Sequence, residues 1–150
     1  MQGAQRLTHW SIPVRDLEES EAFYRDFLGL ELRGRLGNNV ATCFRVGETD
    51  FILWQTGTDT DPQVREAGVH YAFTVSPEAW DLAVREIHQA KVPLHGAIVY
   101  RERGIFLGRE IYVLDPSGNV VELTDPTWHA GMPTPTFEEL NGIHEAALPR

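Results

Sequence analysis

Leu7-Thr8-His9-Trp10-Ser11-Ile12-Pro13-Val14-Arg15-Asp16-Leu17-Glu18-Glu19-Ser20-Glu21-Ala22-Phe23-Tyr24-Arg25-Asp26-Phe27-Leu28-Gly29 holds a strand, a helix start and a helix stop in succession. From Leu7 to Val14 the apolar residues alternate, with Trp10, Ile12 and Val14 on one face and His9 and Ser11 on the other. Pro13 lacks an N–H and predicts an edge strand or a strand end. Asp16 followed by Glu19 is a capping box, Ala22-Phe23-Tyr24 and Phe27-Leu28 repeat at helical spacing, and Gly29 supplies a left-handed stop.

Three short strands are predicted next, Leu30–Leu36, Val40–Val46 and Phe51–Thr56, separated by turn sequences at Gly37-Asn38-Asn39 and Gly47-Glu48-Thr49-Asp50. Gly57 to Gly68 is polar and reads as a connector. The pattern then restarts. Val69 to Val75 is a strand with His70, Ala72 and Thr74 on one face. Ser76 caps a helix with Pro77 at its first position, and Trp80, Ala83, Val84, Ile87 and Ala90 form its apolar stripe. Leu94–Arg101, Glu110–Leu114 and Val120–Thr124 complete a second β-α-β-β-β unit, with the turn Asp115-Pro116-Ser117-Gly118-Asn119 before the last strand. The starting histidines, His9 and His70, stand 61 positions apart. The expected organisation is one α+β domain over residues 6–125, as a module at 6–56, a connector at 57–68 and a module at 69–125. Residues 126–150 form a Pro/Thr-rich tail in which Thr136 and Glu139 cap a short helix.

The whole chain has 150 residues, 13 Lys plus Arg against 22 Asp plus Glu, and a net charge of -9. Hydrophobic residues make up 42%, enough for a core, so the body folds rather than staying disordered. The acidic balance argues against nucleic-acid binding and against docking on an anionic membrane, which both depend on clustered Lys and Arg. A small-molecule substrate is the expected partner. The single cysteine, Cys43, has no disulfide partner and sits in an apolar stretch, as a buried inert thiol would. No apolar leader or membrane-length run occurs, and the expected location is the cytoplasm.

Chemistry concentrates at three positions. His88 lies beside the second helix's apolar stripe, His95 opens a strand, and His129 and His144 lie in the tail, all reading as solvated. His9 and His70 differ, since each takes the second position of an opening strand and shares its face with small or hydroxyl residues, as in a lined cavity. Glu122 sits in the apolar strand Val120-Val121-Glu122-Leu123-Thr124, where a carboxylate is costly unless paired or bound to a cation. Two imidazoles and one carboxylate on three strands suit a divalent transition metal with open positions, Fe, Mn, Ni, Co or Zn. The same residues also read as two strand-end histidines and a salt-bridged glutamate.

His9 to Leu32 resembles the opening of the vicinal oxygen chelate superfamily, which includes glyoxalase I, fosfomycin- and bleomycin-resistance proteins and extradiol dioxygenases. Val69-His70-Tyr71-Ala72-Phe73-Thr74-Val75 resembles its second opening strand, and Asp115-Pro116-Ser117-Gly118-Asn119-Val120-Val121-Glu122-Leu123 its closing signature. The resemblance places His9, His70 and Glu122 on metal-ligand positions. It implies two βαβββ modules forming curled mixed sheets around a metal cavity, often paired across a homodimer. It also implies metal-dependent chemistry on a small oxygen-chelating substrate, of lyase/isomerase or dioxygenase type.

Further expectations follow for single residues. Under the repeat, the counterpart of Glu122 is expected near Leu53, Trp54 or Gln55. Of these, Gln55 can ligate through its amide oxygen, and otherwise reads as a strand-end polar residue. Tyr112, ten positions before Glu122, is the expected hydrogen-bond donor to substrate, with Glu122 as the proton carrier. Ser11, Trp54 and Arg109 are candidate substrate contacts. A fosfomycin-type thiol or water addition is the alternative. It needs cationic groups such as Arg101, Arg103 and Arg109 on a loop that Gly104 and Gly108 would let move as a lid. A metal-free antibiotic-binding module of the bleomycin-resistance type, with Trp10 and Trp54 lining a groove, is the non-enzymatic alternative.

Overall fold

The computed structural model describes residues 4–147, with side chains as far as Gly142, so the side chain of His144 lies outside the described residues. The chain divides into two compact units, the first running to Val64 and including Pro116–Gly118, the second comprising Arg65–Asp115 and the chain from Asn119 onward.

In the first unit, β1 (His9–Val14), β2 (Glu31–Leu36), β3 (Ala41–Val46) and β4 (Thr49–Gln55) form one sheet in the order β1-β4-β3-β2. β1 runs parallel to β4, and the remaining pairs are antiparallel. Pro13 is tolerated because β1 is an edge strand. Helix α1 (Leu17–Ala22) starts where Asp16 accepts the Glu19 N–H at 2.9 Å, then widens into a π-helical turn over Phe23–Phe27 before Gly29 turns at φ +67°. The core gathers Ile12, Val14, Leu17, Tyr24, Phe44, Phe51 and Leu53, all at most 1% exposed. Burial of each such side chain is worth about 1.5–3 kcal/mol. Trp10 packs on Phe51 with ring centroids 5.1 Å apart, so it belongs to the packed face rather than to a groove. Cys43 is buried, and burial pushes its thiol pKa up, as an inert core thiol requires.

The second unit repeats the topology. β5 (Tyr71–Thr74), β6 (Val99–Arg101), β7 (Gly108–Leu114) and β8 (Val120–Asp125) take the order β5-β8-β7-β6, again with the opening strand parallel to the last. Along the chain between β4 and β5, α2 (Pro62–Glu66) interrupts the expected connector. Asp61 accepts the Gln63 N–H at 2.9 Å and Pro62 opens the turn. Helix α3 (Pro77–Ala90) begins at Ser76 and buries Trp80, Ala83, Val84 and Ile87, while Ala90 is exposed. The closing turn is fixed by Asp115, whose carboxylate accepts the Asn119 backbone N–H at 2.8 Å and its side-chain amide at 2.9 Å.

Several boundaries differ from expectation, among them the start of β4 at Thr49, inside the expected turn, and of β7 at Gly108, inside the expected loop. Only Val99–Arg101 of the expected strand Leu94–Arg101 is a strand; Leu94 makes an isolated bridge to Val113, and Gly96 at φ +98° breaks the run. His70 precedes β5 rather than lying inside it.

The tail is packed. Tyr100 donates its hydroxyl to the Pro135 carbonyl at 2.6 Å, and Trp128 donates its indole N–H to the Pro133 carbonyl at 3.0 Å. Helix α4 (Phe137–Ala147) starts with a reciprocal capping box between Thr136 and Glu139, and Phe137 meets His88 of α3. No helix among the described residues is long and apolar enough to cross a membrane.

Candidate functional site

In the second unit, the side chains of His70, Ala72 and Thr74 face those of Arg101, Glu110, Tyr112, Glu122 and Thr124 around a cavity of about 410 Å³. Strand parity builds it. Ala72 pairs with Glu122, Tyr112 with Glu122 and Glu110 with Thr124, so one face of three adjacent strands supplies the wall. A volume in the few-hundred Å³ range suits a small molecule.

His70 and Glu122 meet inside it, His70 Nε2 standing 3.1 Å from Glu122 Oε2. The His70 Nδ1 lies 2.8 Å from the Gly68 carbonyl. A carbonyl only accepts, so this contact puts the ring proton on Nδ1 and leaves the Nε2 lone pair facing the carboxylate. Two acceptors at that distance call for a proton or a cation between them. Burial, reinforced by the charge of Glu110, pushes the Glu122 pKa up, against the pull of His70, Tyr112 and Arg101.

Beside this pair lies an arrangement the sequence reading missed. Glu110 is 1% exposed, and its two carboxylate oxygens take Arg101 Nε at 2.7 and 2.8 Å. Tyr112 donates its hydroxyl to the same carboxylate at 2.8 Å. The Tyr112 pKa is pushed up to about 12, by burial first and then by that hydrogen bond. It therefore keeps its proton at neutral pH and acts as a donor, not a base. The signal for Glu110 was available: like Glu122, it is a carboxylate within an apolar strand, and it shares the parity of Tyr112.

Arg109 alternates to the other face of β7. Its guanidinium carbon stands 4.0 Å from the Trp80 ring centroid, and it pairs with Asp125 at 2.8 Å and Asp81 at 3.0 Å. The expectation that it contacts substrate is corrected: the pleat turns it away from the cavity.

In the first unit, His9 is exposed and lines a smaller cup of about 300 Å³ with Arg33, Arg35, Cys43, Asp50 and Ile52. Asp50 is held there by Arg33 and Arg45, each at 3.0 Å. Register also corrects the repeat. Ser11, the equivalent of Ala72, pairs with Ile52, so the counterpart of Glu122 is Ile52 and not a residue from 53 to 55. Gln55 shares the parity of buried Phe51 and Leu53, away from the cup, and a ligand role for it is not supported by its position. Ser11 is exposed on the His9 face, and Trp54 is 52% exposed. His88, His95 and His129 are exposed. Among the described residues, no three His, Cys, Asp or Glu side chains stand close enough together to hold a metal ion, and His70 and Glu122 come together as a pair.

Comparison with known proteins agrees with this architecture. Residues 6–123 match the model of the Glyoxalase/Bleomycin resistance protein/Dioxygenase superfamily. The chain is 29% identical over 120 residues, 79% of each chain, to the glutathione transferase FosA of Serratia marcescens. A glyoxalase/dioxygenase from Nostoc punctiforme shares its fold with a TM-score of 0.68 at 23% identity, over 83% of this chain and 92% of that one. So does a mutant of the fosfomycin resistance protein FosX from Listeria monocytogenes, solved with Mn(II) and a dihydroxypropylphosphonic acid, with a TM-score of 0.65 at 20% identity over 83% and 95%. The repeated β-α-β-β-β topology, the paired His70 and Glu122 and the match over residues 6–123 together place this chain in the glyoxalase/bleomycin resistance protein/dioxygenase superfamily.

Proposed function

We propose that this chain is a metal-dependent enzyme in which His70 and Glu122, with His9, hold a divalent transition metal, Fe, Mn, Ni, Co or Zn, and act on a small oxygen-chelating substrate. The observation that carries the reading is the contact of His70 Nε2 with Glu122 Oε2 at 3.1 Å, with Nδ1 tied to a carbonyl. That is the orientation a metal-ligating histidine needs, its second nitrogen fixed by a hydrogen-bond acceptor. When bound, the ion would polarise the substrate's oxygens as a Lewis acid.

The chain's own residues supply the rest. Gly68 fixes the His70 tautomer. Glu122, with its raised pKa, is the group able to hold or pass a proton at the carboxylate. Tyr112 remains protonated and orients Glu110. Because the second unit offers two ligands, we place His9 of a second copy at the third position, in a homodimer whose modules pair across subunits. The reaction is of the lyase/isomerase or dioxygenase type. A fosfomycin-type addition is the second reading, favoured by the 29% identity to FosA.

Metal content of the chelator-free protein, measured by mass spectrometry, tests the reading. About one equivalent per chain is expected. Glu122→Gln should lose at least about tenfold in metal affinity, as removal of a charged ligand does, with unchanged circular dichroism. Full occupancy in that variant refutes the ligand assignment.

A further inference from the structure

We infer that the His70–Glu122 cavity selects an uncharged, apolar-bodied substrate, and that Glu110 makes it reject an anionic one such as a phosphonate. The inference rests on reading this cavity as the substrate site, and it names the class of molecule that site takes.

The charges that face the cavity decide the sign. Arg101 is the guanidinium on its wall, and both oxygens of buried Glu110 already hold it. Glu110 and Glu122 place two carboxylates on the same wall. An anionic substrate group entering here would compete for Arg101 with both oxygens of Glu110, which share its Nε–H, and drawing Arg101 away would leave the buried Glu110 without its cation. The cost falls on Glu110, the buried member of the pair, because its charge stays desolvated when the half-exposed Arg101 leaves. Arg109, which could have supplied a second cation, is turned away and held by Asp125 and Asp81.

One stretch of the lining is apolar and exposed. Ile105, Phe106 and Leu107 line the cavity and are 92%, 76% and 46% exposed. Three consecutive apolar side chains in water are a standing cost that a substrate body lying against them would relieve. The wall therefore has polar groups at His70 and Glu122 and an apolar edge at Ile105–Leu107, and among the described residues lining it the one guanidinium, Arg101, is already engaged by Glu110. That combination fits a neutral molecule with a polar head and an apolar or aromatic body.

Two probes of one shape separate the cases: phenylphosphonate, which is anionic, and benzenesulfonamide, which is neutral. Each is titrated calorimetrically into the full chain, with chelator and again with Mn(II). In the chelator-treated protein, wild type should bind the neutral probe at least about tenfold more tightly, the scale of one like-charge contact. Glu110→Gln keeps the acceptor for Tyr112 but frees Arg101, and should tighten phenylphosphonate by about tenfold. Adding Arg101→Gln should abolish that gain. Phe106→Ser should weaken the neutral probe severalfold. Equal binding of the two probes to wild type, or binding of neither, overturns the inference, and the wild-type result stands whatever the variants do. Mn(II) uptake is measured on the same samples. Selection of the neutral probe without metal uptake would sink the metal reading and leave this one standing.

Discussion

Asp125 shows how one residue balances opposed effects. It is 1% exposed, and burial alone would raise its pKa. The Thr127 hydroxyl and N–H, at 2.7 and 2.9 Å, together with Arg109 at 2.8 Å, outweigh burial and hold its carboxyl below the usual range. A depressed pKa contributes stability that is present above the unfolded value, about 4, and is lost as pH falls through the folded value. Asp125→Asn should therefore cost roughly 1–3 kcal/mol at pH 7, the cost of removing a charged hydrogen-bond acceptor. The gap from wild type should narrow as pH falls below about 4, in urea unfolding followed at several pH values. A gap that stays constant with pH would show that the charge is not the stabilising feature. Residues were legible to the extent that strand parity exposed them. Glu122 stood out against Val120, Val121 and Leu123, but the partners of Glu110 and Arg109 depend on which face of β7 is the cavity wall, and alternation alone does not say.

Elements were more legible where backbone chemistry forces a boundary. Asp16, Ser76 and Thr136 each cap the helix expected of them, because an unpaired N–H at a helix start needs an acceptor. β6 was overextended because Leu94-His95-Gly96 lies in a run with strand-like flanks, and a glycine's positive φ cannot be read from its neighbours. The loop glycines behave unequally for the same reason. A Cβ on Gly108 would lie 2.2 Å from the Asp125 carbonyl oxygen at φ +124°, whereas one on Gly104, at φ +112°, meets nothing within 4 Å. Gly108 is thus an anchor of β7 against β8, not a free hinge. Gly108→Ala should destabilise by about 2 kcal/mol or more, lowering Tm by roughly 4–8 °C. Gly104→Ala carries the backbone strain alone and should cost about 1 kcal/mol. Equal melting temperatures for the two variants would refute the close approach.

At the scale of the molecule, the same β-α-β-β-β topology occurs twice, yet the two cups are chemically unlike. One offers His9 among Arg33, Arg35 and an Asp50 held by arginines; the other offers His70 with Glu122. The offset of 61 between the histidines announced the duplication, but register, not spacing, shows that Ile52 stands where the second unit has Glu122. The proposed homodimer has a strict test, because under that proposal the third ligand, an imidazole, comes from a definable chain. His9→Ala is placed on one tagged chain and His70→Ala with Glu122→Gln on another, and the heterodimer is purified through both tags. If modules pair across subunits, one site regains His9 of the partner subunit together with its own His70 and Glu122, while the other site loses all three. About half an equivalent of metal per chain should then bind, although neither parent homodimer holds any. If each chain completes its own site, every site in the heterodimer carries a defect and no metal returns. A monomer in sedimentation, with wild-type metal occupancy, would remove the dimer from the proposal altogether.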